Sequence, residues 1–414
     1  MIAEIIAIGS ELLTPFRQDT NSLFLTKELN RLGVDVGFKT VVGDNRAHLV
    51  SVARIALNRA DLIIFMGGLG PTEDDITRES VAEAMRLGIR RDPDIVAALY
   101  ARFAERRMKM QENNTRQADV ITGAAVLPNK NGSAPGQYLE GLYEGKEKIV
   151  ILLPGPPREL EPMFSTECFD RLRVKLPKRF IATRVLKIAM MPESECDARV
   201  APIYKEHNAV QTTILAGAGD VQLHLKAEAD TQEEAQALVD DLAEELEDEL
   251  DDRIYSSGGE SLEQIVGYYL QMRGATLAVA ESCTGGLFSE RITSVPGSSR
   301  YFLGGAVVYD NTLKTSFSDV PASLIKEHGA VSKEVAIALA NGIRKRCGSS
   351  LGIAITGIAG PTGGTEEKPV GLVYIALADG KKPEVVERKF PGDRDRVRMY
   401  ASQQALDMVR RKLI

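Results

Sequence analysis

At 414 residues the chain is too long for one ordinary domain, and its 44% hydrophobic and 26% charged residues suit two or three globular cores. A net charge of −7 and the absence of Trp disfavour a broad nucleic-acid surface, and no apolar run approaches the ~18–20 residues of a membrane span. Cys168, Cys196, Cys283 and Cys347 are scattered without CxxC or alternating Cys/His spacing, which argues against a disulfide framework or zinc site and fits a reducing cytoplasm.

The opening "MIAEIIAIGSELL" lacks a basic n-region and a cleavage site, so it reads as a first strand (2–8) rather than a signal peptide. A helix is predicted over 22–33, with Leu25, Leu29 and Leu32 at helical spacing, then a strand over 34–42, a helix over 46–60 and a buried strand over 61–68. Helical patterns in "RESVAEAMRL" and "PDIVAALYARFAERRMKM" lead on to an apolar strand in "KIVILLPGPPREL" (148–160). Strands alternating with helices predict right-handed crossovers and a parallel sheet. After about residue 177 the pattern changes to a strand over 179–191, a helix in "ESECDARVAPIYKEH" and an alternating, half-exposed strand over 221–230. The helix in "TQEEAQALVDDLAEELEDELDD" then sets Ala235, Val239, Leu242, Leu246 and Leu250 on one stripe, with acids on a solvated face. From "ESLEQIVGYYLQMRG" (260–274) a second α/β unit begins, with strands "TLAVAES", "FLGGAVVY", "LGIAITGIAG" and "VGLVYIAL" and helices "KEVAIALANGIRKRC" and "RVRMYASQQALDMVRRKL". Three domains are expected: 1–177, 178–253 and 254–414.

Four turn-like stretches mark the first domain: "GSELL" (9–13), "GGLGPTEDDIT" (67–77), "NKNGSAPG" (129–136) and "LLPGPPREL" (152–160). In an open α/β sheet ligands gather at the carboxyl ends of strands, where glycines admit a phosphate to the backbone and helix-opening N–H groups attract anions. Glu73, Asp74 and Asp75 would repel a bare phosphate, so they point to a divalent cation bridging carboxylates and phosphate oxygens. Structural turns use the same residue types, so it is the combination that carries the reading.

In the last domain "AESCTGG" (280–286) follows an apolar run, and by itself reads as a strand-to-helix turn capped by Ser282 or Thr284. "VVYDNTLK" (307–314) brings Tyr309, Asn311 and Lys314 near a strand end, "ITGIAGPTGGTEEKPVG" (355–371) is a long glycine-rich loop, and "FPGDRDRVR" (390–398) supplies Arg394, Arg396 and Arg398 for a phosphate. His328 is the domain's single histidine and sits away from these stretches, which disfavours a Ser-His-Asp triad and leaves a Ser-Lys pair to activate a hydroxyl. Shielding would lower the lysine pKa, and Tyr309 would relay the proton or hold the lysine. Cys283 is the rival nucleophile, read first as a small buried residue.

Together these motifs resemble the CinA family over essentially the whole chain. The resemblance implies an α/β fold: an N-terminal molybdopterin-binding-like (MogA/MoaB-like) three-layer domain, a small α+β KH-like module, and a C-terminal α/β domain that also occurs alone as a nicotinamide mononucleotide deamidase of the PncC type. The module carries no GXXG clamp, "AGAGD" (216–220) being its nearest glycine turn. For the C-terminal domain the resemblance implies hydrolysis of nicotinamide mononucleotide to nicotinate mononucleotide and ammonia, without a cofactor. Ser282 is then the nucleophile, with Thr284 the alternative, Lys314 the general base and Tyr309 its partner. Thr284, Gly285 and Gly286 serve the oxyanion or phosphate, Arg394 and Arg398 bind the 5′-phosphate, and Glu281, Asn311, Gly357 and Gly360 line the substrate. For the N-terminal domain it implies metal-dependent hydrolysis of ADP-ribose, with Asp74 and Asp75 on a divalent metal. Gly67, Gly68, Gly70 and Thr72 would line the phosphates, and Asn131, Ser133 and Gly136 would close the site. "ELLTPFRQDTN" departs from the family pattern, with Pro-Phe-Arg in place of a glycine-containing turn. A homodimer is expected and a nucleic-acid or membrane partner is not. Two alternatives stand beside this reading: an accessory protein of competence or DNA damage, and a molybdopterin-binding protein without turnover.

Overall fold

The apolar run Ile2–Ile8 becomes the hub of a six-stranded sheet, flanked by Asp35–Val42 on one side and by Leu62–Met66, Lys146–Leu153, Gly136–Tyr143 and Ala125–Leu127 in turn on the other. The computed structural model describes residues 1–176 and 179–414, and it divides into two compact units: Met1–Ala182 with Glu228–Ala235, and Thr183–Ala227 with Gln236–Ile414. The expected boundary at 177/178 falls on Pro177 and Lys178, outside the described residues.

In the first unit the four strands from Asp35–Val42 to Lys146–Leu153 pair in parallel, and the last two pair antiparallel. The expectation of a parallel sheet is thus corrected to a mixed one. Glu144 and Gly145, at φ 50° and 80°, form a two-residue turn that folds Gly136–Tyr143 straight back on Lys146–Leu153, with no crossover helix. Successive strand residues point to opposite faces, which splits the core in two. Ile6, Ile63 and Phe65 pack with Leu49, Leu57 and Val81 of helices Arg46–Arg59 and Thr77–Met85. Ile5, Ile64 and Ile151 pack with Leu25, Leu160 and Leu172 of helices Asn21–Arg31, Pro157–Met163 and Phe169–Lys175. The result is a three-layer domain.

The middle module, most of whose residues fall in the second unit, is a four-stranded sheet in the order Val210–Ala216, Asp220–Ala229, Phe180–Ala189, Ile254–Ser256, with helices Glu193–Tyr204 and Gln232–Leu250. The predicted stripe Ala235, Val239, Leu242, Leu246 and Leu250 is buried along its length. The acidic face is partly neutralised within the module, since Arg184 pairs with Asp240 (2.8 Å) and Glu247 (2.7 Å), and Arg199 with Glu249 (2.8 Å).

A five-stranded sheet follows, in the order Phe302–Val307, Leu277–Glu281, Leu351–Gly357, Leu372–Ala378, Glu384–Lys389. The first three strands are parallel and the last two antiparallel, so this sheet too is mixed. Helix Lys333–Cys347 covers one face through Val335, Leu339 and Ile343. Helices Leu262–Met272, Leu287–Thr293 and Arg394–Leu413 cover the other through Val266, Ile292, Val397 and Leu406. Among the described residues no helix is long and apolar enough to cross a membrane.

Candidate functional site

Strand direction gathers the C-terminal motifs at one end of the five-stranded sheet. Leu277–Glu281, Phe302–Val307 and Leu351–Gly357 run in parallel, so the turns after Glu281, Val307 and Gly357 emerge together. Glu384–Lys389 is antiparallel to an antiparallel strand, and its carboxyl end therefore delivers "FPGDRDRVR" to the same place. Ligands of open α/β sheets sit at such an edge.

Glu281 organises the first turn. It is fully buried, and its carboxylate accepts from the backbone N–H groups of Gly286 (3.0 Å), Phe288 (3.1 Å) and Ser289 (2.9 Å) and from Ser289 Oγ (2.6 Å). These are the orphan donors of helix Leu287–Thr293, so Glu281 does the capping expected of Ser282 or Thr284. With both oxygens so used, it holds the turn rather than a substrate. Gly285 sits at φ 60° with open space where a Cβ would be, so backbone conformation, not crowding, favours glycine there. The N–H groups of Gly285 and Gly286 are also committed within the turn, to Ser282 O (3.2 Å) and Glu281, which corrects their expected role toward an oxyanion.

Two hydroxyls are left over. Ser282 is anchored by its N–H to Ile355 O (2.9 Å), while its hydroxyl has no hydrogen-bond partner among the described residues. Thr284 is fully buried, and its Oγ1 has no partner among the described residues. Cys283 between them is buried, and burial pushes its thiol up to about 12, so it stays protonated and poorly nucleophilic.

Lys314 lies one turn into helix Asn311–Ser318, which Asp310 caps through Thr312 N (2.8 Å). The side chain is buried, and Nζ donates back to Val308 O (2.9 Å) and Tyr309 O (3.0 Å). Burial lowers the Lys314 pKa, opposed by the charge of Asp310 and by Cys283. The partner of Lys314 is thus the main-chain carbonyl of Tyr309, not its phenol. The Tyr309 hydroxyl instead accepts from Arg394 Nη2 (2.8 Å). Arg394 also donates to Gly360 O (2.8 Å), and Arg398 forks onto Thr284 O through Nε (3.2 Å) and Nη2 (2.9 Å). Gly357 ends its strand beside this loop, and Asn311 is exposed at the start of its helix. Sequence reasoning missed Lys368 of "KPVG", whose Nζ ties the glycine-rich loop to His328 O and Val331 O (2.7 Å each). A lone basic residue in that loop was the available signal.

The same logic assembles the N-terminal site. The carboxyl ends of Ile2–Ile8, Asp35–Val42, Leu62–Met66 and Lys146–Leu153 and the start of Gly136–Tyr143 share one edge, around a cavity of about 450 Å³. Gly67, Gly68, Gly70, Asp74, Asp75 and Ser133 line it. Thr72, Asn131 and Gly136 do otherwise. Thr72 gives its N–H (2.8 Å) and hydroxyl (2.6 Å) to Asp75 Oδ2, Asn131 donates to Arg158 O (2.7 Å), and a Cβ at Gly136 would strike Met163 and Leu152. Buried Arg78 clamps the glycine loop through Leu69 O (2.8 Å) and Gly70 O (3.0 Å). Glu11, Asp44 and Glu159 also line the cavity and were not singled out, although each follows a strand end. Among the described residues no three carboxylate, His or Cys side chains stand close enough to hold a metal between them. The oxygen donors fit a hard cation held by one or two carboxylates and completed by water and substrate phosphate, as Mg²⁺ is commonly bound.

Known families match along the chain: the probable molybdopterin binding domain over residues 4–174, the damage-inducible protein CinA KH domain over 183–256 and the CinA C-terminal domain over 259–413. A CinA-like protein of Koribacter versatilis is 63% identical over 414 residues, and one of Acidobacterium capsulatum 58% over 414, each covering 100% of both chains. The solved competence/damage inducible protein CihA of Agrobacterium tumefaciens is 34% identical over 36% of this chain and 90% of that one, with a TM-score of 0.35. With relatives this similar along its entire length, the chain belongs to the CinA family.

Proposed function

We propose that the C-terminal domain deamidates nicotinamide mononucleotide, giving nicotinate mononucleotide and ammonia. The observation that carries this reading is the buried Lys314 amine, held by two backbone carbonyls with no carboxylate in ion-pair reach among the described residues. A neutral amine has two N–H bonds and one lone pair. Both N–H bonds are satisfied by Val308 O and Tyr309 O, which leaves the lone pair to accept a proton. In the proposed reaction Lys314 takes the Ser282 hydroxyl proton as Oγ attacks the carboxamide carbon. The Thr284 hydroxyl, buried and without a partner among the described residues, meets the oxyanion. The proton then passes to the departing nitrogen, ammonia leaves, and water hydrolyses the Ser282 ester by the same base. Arg394 and Arg398 remain the candidates for the 5′-phosphate, because a guanidinium keeps free donors after one or two bonds.

The N-terminal domain is read as a divalent-metal-dependent ADP-ribose pyrophosphatase, on the strength of its oxygen-lined cavity and glycine turns. The cation would neutralise phosphate charge and activate water, with Asp74 and Asp75 as its protein ligands. Thr72 orients the Asp75 carboxylate, and Arg78 keeps the loop in place. The pair of activities makes a bifunctional hydrolase of pyridine-nucleotide salvage.

The test is ammonia release from nicotinamide mononucleotide by the purified chain. Wild type should release ammonia, Ser282→Ala should lose about a thousandfold or more, and Lys314→Ala about a hundredfold or more, with unfolding midpoints preserved. Near-normal turnover by Ser282→Ala would remove the nucleophile assignment. A silent wild type would favour the accessory reading.

A further inference from the structure

Two motifs find no use in either active site: Arg396 of "FPGDRDRVR" and the "AGAGD" turn of the middle module. Arg394 and Arg398 are four residues apart, hence on one helix face, and both turn to the "AESCTGG" side. Arg396 lies about 200° round the same helix from Arg394 and lines a different cavity.

That cavity lies wholly within the second unit and measures about 1010 Å³. Its walls are the "AGAGD" turn, the strand Glu384–Lys389 and helix Arg394–Leu413. The turn is pressed close, since a Cβ at Gly219 would strike Met190, Gln403 and Tyr400. Much of the lining is apolar: Met190, Val221, Val386 and Met408, with Tyr400 stacked on Phe390 at 5.4 Å between ring centres and 7° between planes. Methionines on such a surface adapt to flat ligands.

The charges on the walls do not cancel. Arg411 is neutralised by Asp407 and Asp252, and Glu384 by Lys412 (2.9 Å). Arg388 is steered by Gln404 (3.1 Å) and by Glu387 O (3.1 Å), with no acid paired to it among the described residues. The Arg253 and Arg396 guanidinium groups have no hydrogen-bond or ion-pair partner among the described residues. Against these three arginines the cavity lining sets one acid without an ion-pair partner among the described residues, Glu193.

We propose that this cavity is a second ligand site of the C-terminal half and takes a nucleoside phosphate, with the phosphate on Arg396, Arg388 and Arg253 and the base on the apolar lining. Arginine forks match phosphate oxygens bidentately, and an apolar pocket with a few convergent polar groups is the usual form of a small-molecule site. The inference does not rest on either proposed activity.

The experiment is calorimetric titration of the full chain with ADP and with inorganic pyrophosphate, without added metal. The variants are Arg253→Ala combined with Arg396→Ala, Arg396→Lys, and Asp75→Asn to mark the N-terminal cavity. Saturable ADP binding is expected, weakened about tenfold or more in the double variant, partly kept in Arg396→Lys and unchanged in Asp75→Asn. Pyrophosphate should bind more weakly than ADP, because it lacks the base. The proposal is overturned by no saturable binding, by ADP binding that the double variant leaves within about twofold, or by binding that Asp75→Asn abolishes. Equal affinity for pyrophosphate would overturn the nucleoside part. Nicotinamide mononucleotide turnover should survive the double variant; its loss with folding intact would move Arg396 to the deamidase site and sink the separate site.

Discussion

If Lys314 is the base of the proposed deamidation, this single side chain sets its pH dependence. Burial holds its pKa below the ordinary lysine value of about 10.4, so the neutral amine becomes available at lower pH than for an exposed lysine. Deamidation should therefore rise with pH through an apparent pKa below that value and then level off, as a kcat/KM profile would show. A rate with no ascending limb below pH of about 10 would contradict Lys314 as base. The linked stability effect has a definite sign. Between the lowered native pKa and the ordinary one the unfolded chain binds more protons, so stability rises with pH across that window. Below it both states carry the ammonium, and the full penalty of burying it remains. Replacing Lys314 by Met should flatten that rise in a denaturant series across the same pH range. Cys283→Ala should leave deamidation within about threefold of wild type, because a thiol held protonated up to about 12 makes a poor nucleophile.

At the scale of elements, the "AESCTGG" turn depends on Glu281 more than on its hydroxyl residues. Glu281→Ala would strip acceptors from Gly286, Phe288 and Ser289 at the buried start of helix Leu287–Thr293. The expected loss is about 2–4 kcal/mol by denaturant unfolding of the second unit, with deamidation falling alongside as Ser282 loses its support. A loss below about 0.5 kcal/mol would mean that the helix start is held some other way. The buried stripe of helix Gln232–Leu250 is a second case. Leu246→Ala should cost about 2–5 kcal/mol, whereas exchanging an acid on the solvated face should cost far less.

For the molecule as a whole, the two proposed sites lie in separate units, each with its own sheet and core. Their activities should therefore be separable by mutation. Asp75→Asn is expected to lower ADP-ribose hydrolysis about tenfold or more while leaving nicotinamide mononucleotide turnover within about twofold. Ser282→Ala should do the reverse. Loss of both activities from either change, with folding intact, would argue for one coupled machine. The expected homodimer is a proposal of its own, to be settled by sedimentation of the full chain.

Local chemistry made much of this legible in the sequence. Period-3.6 stripes marked the long helices, with Lys333–Cys347 matching residue for residue, and apolar runs marked the central strands. Glycine-rich turns after those runs pointed to the two regions proposed as sites, because strand ends and turns are local events. The tertiary structure decided what depends on partners distant along the chain. Whether a strand pairs parallel or antiparallel followed from its neighbour and connection, not its own residues, so both sheets proved mixed. Which acid caps the turn, which carbonyls hold Lys314, and which arginine of "FPGDRDRVR" faces which cavity were likewise set by elements brought together in space. A hydrogen bond or a buried charge is a relation between two places in the fold, and one segment of sequence records only one of them.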